Sequence, residues 1–151
     1  MKHVYIAAPF FNAAELSVVQ AIEEICAHCG ISHFSPRRDQ PQLTRSLRGK
    51  ARKQRARGIF LRNVLELKLA TRILACIDDF DPGTIWEAGT AWGMREASLV
   101  YRPTIVGFST KGHGLNLMLS ESFDGFLKNL QEVEAYLCDS IKMRPWNGAR
   151  I

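Results

Sequence analysis

Four carboxylates stand within the ten residues from Asp78 to Glu87: Asp78, Asp79, Asp81 and Glu87, all inside the stretch IDDFDPGTIWEAGTAWG (77–93). Two carboxyl groups about 5 Å apart, one a nucleophile and the other a proton carrier, are the apparatus of retaining glycosyl transfer. The same letters also read as plain structure. Asp-Pro-Gly is a turn, Thr84 is placed to cap the helix that follows, and Glu87 three residues later is the acidic member of a capping box. A solvated acidic turn accounts for most clusters of this kind, and linear spacing measures no distance between carboxylates. Glu87 therefore carries two readings, helix cap and catalyst.

Other chemistry is weakly represented. CAHC (26–29) has the spacing of half a zinc or redox site, but no second CxxC answers it and the apolar pattern around it is helical. The four cysteines, Cys26, Cys29, Cys76 and Cys138, show no paired framework, so they read as buried or free thiols and no metal is expected. No G-x-G-x-x-G follows the first apolar run and no G-x-x-x-x-G-K-[ST] occurs, so no cofactor is expected; KGHG (111–114) is a glycine-rich loop of low specificity. RSLRGKARKQRARG (45–58) holds seven Lys or Arg and no acid, in a chain of net charge +5 and pI about 9.2. Such a tract reads as a solvated face, as a nucleic-acid-binding module, or as a holder of a nucleotide phosphate. The absence of interleaved aromatics weighs against nucleic acid.

The elements that must position these residues follow from periodicity. HVYIAA (3–8), ISHFS (31–35), RILACID (72–78) and PTIVGFS (103–109) read as strands. NAAELSVVQAIEEICAHCG (12–30) has helical spacing and a glycine stop, RNVLELKLAT (62–71) resumes a helix, and another begins near Thr84. LNLMLSES starts a short helix and GFLKNLQEVEAYLCD (125–139) reads as the last one, while residues 36–53 read as a long loop or broken helix. With 151 residues, 46% of them hydrophobic, and no internal repeat, the chain reads as one domain able to bury a core. No basic-then-apolar leader or eighteen-residue apolar run is seen, and a soluble, reducing, cytoplasmic setting is expected. Alternating strands and helices imply a parallel α/β sheet covered on both faces, with ligands beyond the carboxyl ends of the strands. AAPFFN, DDFDPGTIWE and STKGHGLNLM would meet there.

VYIAAPFFN near the amino end, DDFDPGTIWEAGTAWG in the middle, LNLML (115–119) and PWNGARI at the carboxyl end together resemble the nucleoside 2-deoxyribosyltransferases. Their order, the overall length and the D-x-G-T-x-x-E core carry the resemblance across nearly the whole chain. It implies a flavodoxin-like open parallel five-stranded sheet with helices on both faces, and exchange of the base of 2'-deoxyribonucleosides with free nucleobases. It also implies that Glu87 is the nucleophile, that Asp81 contacts the sugar and helps handle the proton, and that Asp78 supports it. Tyr5 and Phe11 match pocket-lining positions, with Tyr5 able to orient Glu87, and Gln40 resembles a glutamine that pairs with the base edge. Asn63 stands where some members carry a proton-transferring aspartate and others an asparagine; it can hydrogen-bond but not shuttle a proton. Asn116 and Met118 match residues lent to a neighbouring subunit's site, which implies a homo-oligomer. Hydrolysis of nucleoside 5'-monophosphates, as in related enzymes, is the alternative activity.

Overall fold

A computed structural model of the chain describes residues 2–112 and 114–151; His113, within the KGHG loop, lies outside the described residues. The order is β1 (His3–Ala7), α1 (Ala13–His28), β2 (Ser32–Phe34), α2 (Pro36–Asp39), α3 (Gly49–Leu69), β3 (Arg72–Cys76), α4 (Pro82–Glu96), β4 (Thr104–Phe108), α5 (Leu117–Ser122), β5 (Gly125–Leu127) and α6 (Leu130–Leu137). All strand pairs are parallel and the sheet runs β2-β1-β3-β4-β5, an α/β architecture of the flavodoxin-like order. The order reverses between β1 and β3, which locates the crevice at their carboxyl ends.

Strand alternation divides the core in two. Val4 and Ile6 of β1 face α1 and α6, joined there by Val19, Ile22, Leu74, Val106, Phe108, Val133 and Leu137. Tyr5 and Ala7 face the other way, into a layer with Leu67 of α3, Ala88 and Ala91 of α4, Ile73, Ile105 and Phe126. β1 thus aims Tyr5 at α3 and α4. Small residues at 88 and 91 let α4 lie close to the sheet.

Three expectations need correction. The basic tract is helical from Gly49 onward, because Ala, Arg, Lys, Gln and Leu are strong helix formers even without an apolar stripe; only Glu66 and Leu67 of α3 are buried. Gly125–Leu127, read as the start of the last helix, forms edge strand β5, fully buried and paired to β4; three residues are too few for a visible period. Cys29 is not a free thiol. It forms a disulfide with Cys138, 109 residues away, whereas Cys26 and Cys76 are free and buried. This bond is at odds with the reducing setting expected from the sequence. No described helix is long and apolar enough to cross a membrane.

Candidate active site

Asp81 is the N-cap of α4. Its Oδ2 accepts hydrogen bonds from the backbone N–H of Thr84 at 2.7 Å and from the Thr84 hydroxyl at 3.1 Å. Pro82 occupies the first helical turn, where its missing N–H costs no hydrogen bond. Thr84 is therefore a donor to the cap rather than the cap itself, and the cap lies three residues earlier than expected. The consequence for Glu87 is direct. With the true cap at Asp81, Glu87 lies beyond the capping-box position and its carboxylate is turned elsewhere.

It is turned toward β1 and α3. The Tyr5 hydroxyl donates to Glu87 Oε1 at 2.5 Å, and Asn63 Nδ2 donates to the same oxygen at 3.4 Å. Tyr5 itself is wholly buried, so its ring is fixed by packing, including a tilted contact with Phe34 at 5.6 Å between ring centres. Burial pushes the Glu87 carboxyl up to about 7; the Tyr5 hydrogen bond works against this, and the nearby Asp81 charge adds to it. The Tyr5 phenol is raised by its own burial and then by the Glu87 charge, so it stays a donor. Just before the cap, Phe80 adopts φ +49°, a conformation uncommon for an aromatic residue and of the kind that concentrates at functional sites.

A cleft of about 190 Å³ opens over this carboxylate. Ala8, Pro9, Phe10 and Phe11 from the loop after β1 form one wall, Pro36, Gln40, Gln42 and Leu43 another, Ile59 and Asn63 of α3 a third, and Asp81, Gly83, Thr84 and Glu87 the floor. Phe11 is largely exposed and stacks on Phe10, with ring centres 5.2 Å apart. One Asp81 oxygen serves the cap; Oδ1 takes no hydrogen bond among the described residues.

Of the residues singled out in the sequence, Glu87, Asp81, Asn63, Gln40 and Phe11 line this cleft, and Tyr5 reaches it through Glu87. Asp78 does not line it. Ser109 Oγ, Thr110 N and Oγ, and Lys111 N hold both Asp78 oxygens, so this side chain ties down the loop after β4. Those bonds hold its carboxyl below the usual range although burial acts to raise it. Asn116 caps α5 by accepting from Met118 N at 2.8 Å, and Met118 is three-quarters exposed; neither lines the cleft. Gln42, which no motif marks, also lines the cleft. Its Nε2 donates to the carbonyls of Pro36, Arg37 and Gln40, which fixes the loop that carries Gln40. A lone glutamine in a polar loop gives no local signal of such a tether.

The family model of the nucleoside 2-deoxyribosyltransferases matches residues 4–118. No curated protein matches the chain. Among solved structures, a 2-deoxyribosyltransferase from Bacillus psychrosaccharolyticus superposes with a TM-score of 0.79 at 26% identity, over 96% of this chain and 99% of that one. A conserved protein from Enterococcus faecalis V583 shares the fold, with a TM-score of 0.57 at 18% identity, over 100% of this chain and 91% of that one. The matched residues run from β1 through α4 to the start of α5 and so include every wall of the cleft: the chain belongs to the nucleoside 2-deoxyribosyltransferase family.

Proposed function

We infer that this glycosyltransferase exchanges the base of 2'-deoxyribonucleosides through a covalent deoxyribosyl ester on Glu87, with net retention. The observation that carries the reading is the Glu87 carboxylate on the floor of the cleft, held by Tyr5 and Asn63 and relieved of any capping duty by Asp81. A 2-deoxy sugar lacks the hydroxyl that destabilises positive charge at C1', so its glycosidic bond breaks through an oxocarbenium-like state. A Glu87 oxygen bonds to C1', the C1'–N bond breaks, and its electron pair leaves on the base nitrogen, which takes up a proton. A second base attacks C1' from the opposite side, loses its proton and restores the free carboxylate. Two inversions give retention.

Asp81 suits contact with the sugar through its uncommitted Oδ1, and as the second carboxylate lining the cleft it is the group assigned to handle the proton. Asn63 has no proton to give. Asn116 and Met118 are exposed and outside their own cleft, in keeping with a role in a neighbouring subunit's site and with a homo-oligomer. None of the seven basic residues of 45–58 lines the cleft, so its geometry does not favour a phosphorylated substrate.

The test is incubation with deoxyinosine and adenine, then with deoxyinosine alone. Deoxyadenosine in the first mixture is the expected product, and free deoxyribose without it would overturn transfer. Mass spectrometry with a slow 2-fluoro-deoxynucleoside should place a sugar adduct on the peptide containing Glu87. An adduct mapped reproducibly to Asp78 or Asp81 would remove Glu87 from the role.

A further inference from the structure

The reaction at Glu87 makes no use of the basic tract 45–58, yet this part of the chain carries the positive charge of the whole protein. Between Gln40 and Leu65 stand eight Lys or Arg and no acid; the rest of the chain holds twelve Lys or Arg against fifteen Asp or Glu, a net −3 in a protein of net +5. Among the described residues, none of the seven cations of 45–58 pairs with a carboxylate. Arg48 and Arg52 donate only to the carbonyls of Leu47 and Thr44.

This composition does not help α3 to form. Its first turn has no acid, and Arg48 at the N-cap makes no side-chain cap bond. Lys50 and Lys53 lie at the positive end of the helix dipole, and Lys53 and Arg57 are like charges four residues apart, so dipole and repulsion both oppose the helix. An exposed helix that only faces water commonly alternates the sign of its charges, whereas a block of one sign is the pattern of a surface that meets a polyanion. Lys50, Lys53 and Arg57, at i, i+3 and i+7, share one face of α3 and are exposed. The helical rise sets them about 4.5 and 6 Å apart along the axis. Arg45 and Arg48, also exposed, precede the helix.

We propose that the first half of α3 is a docking surface for double-stranded DNA, gripped through its phosphates without readout of sequence. No aromatic side chain falls within 45–58, so the tract offers no platform on which the bases of a single strand stack. Phosphate contact needs none, and a duplex presents a dense row of charge, one per about 1.7 Å of its axis. Phosphates beside the tract offset the mutual repulsion of its side chains, and the counterions released from the duplex drive binding. None of these cations lines the cleft, so docked DNA and the reacting nucleoside use separate surfaces.

The experiment follows the fluorescence anisotropy of a labelled DNA duplex of about 20 base pairs, titrated with the full chain between about 50 and 200 mM salt. Binding is expected with a Kd of about 1–100 µM near physiological salt, and with a slope of log K against log salt of about −3 or steeper, as for three or more phosphate contacts. Lys50→Gln, Lys53→Gln and Arg57→Gln together should make that slope shallower by about 2–3 and weaken binding at least about tenfold at the lowest salt, with base exchange and melting temperature kept. If the triple variant melts early, the native slope decides alone. Absence of binding at the lowest salt, a slope near zero, or equal binding by a folded triple variant overturns the proposal. Tighter binding of the corresponding single strand also overturns it, as does binding of phosphatidylserine vesicles but not of the duplex.

Discussion

Glu87 is costly to fold and suited to react for one reason, the desolvation of its carboxylate. Its folded pKa of about 7 lies above the ordinary 4.5, so the stability it allows is complete below pH 4.5 and declines as pH rises through 7. At pH 8 the buried charge costs up to about 3 kcal/mol, less any relief from water in the cleft. Glu87→Gln should remove this penalty, raising the melting temperature at pH 8 while eliminating transfer, since an amide cannot form the ester. A Gln variant that retained near-normal transfer would return Glu87 to a structural role. The same pKa sets the expected rate profile: kcat/KM should fall as pH drops below about 7, where the proposed nucleophile is protonated. Tyr5→Phe deletes the shorter of the two hydrogen bonds to Glu87 Oε1, which lowers this pKa, so the acid limb should move to higher pH. An unmoved limb would show that another group controls it.

At the scale of the element, α4 owes its start to Asp81, whose capping leaves Glu87 free to face the cleft. Asp81→Ala leaves the Thr84 N–H without its partner and should cost about 0.5–2 kcal/mol, read from thermal or urea melting. Asp81→Asn keeps an oxygen at the cap, so its melting temperature should stay near that of the native protein while its charge is lost. Because the Asp81 charge raises the Glu87 pKa, the acid limb in Asp81→Asn should shift to lower pH. A fall in stability equal to that of the Ala variant would mean the charge, interacting with the helix dipole, matters more than the hydrogen bond. α3 illustrates a different balance. Its first half is basic and exposed, yet it is helical, since propensity and continuity with the buried Glu66–Leu67 end hold it without a core-facing stripe.

Across the whole molecule, the Cys29–Cys138 disulfide joins the ends of α1 and α6 at the amino ends of the strands, opposite the cleft. Closing a loop of 109 residues removes much unfolded-state freedom, so reduction should destabilise the fold by about 2–5 kcal/mol. Transfer activity at moderate temperature should persist in reducing agent, because the cleft is built by β1, α3 and α4. Coincident loss of activity and of the disulfide below the melting range would contradict that separation. Exposed apolar side chains include Phe60 and Trp86, 5.5 Å apart between ring centres, and Leu117 and Met118 on α5. An oligomer that shares its sites would cover such residues. Sedimentation should give a mass larger than 17.0 kDa, and Asn116→Ala should raise KM more than it lowers kcat. A fully active monomer would remove the shared-site model.

The sequence by itself determined the strands β1, β3 and β4, whose apolar runs announce burial on both faces, and α1, marked by its helical spacing and glycine stop. It also put Glu87 and Asp81 under one motif, because D-x-G-T-x-x-E is contiguous. Only the tertiary structure decided what each does locally. Whether a carboxylate caps or faces a cleft depends on a rotamer and on Tyr5, 82 positions away, and no spacing rule reaches across a sheet. Asp78 was equally acidic in the sequence, and the loop after β4 claims it. The cysteine pair is the clearest case. Cys26 and Cys29 are neighbours in the chain, yet Cys29 bonds with Cys138, because a parallel sheet with α1 and α6 on one face brings those two helix ends together.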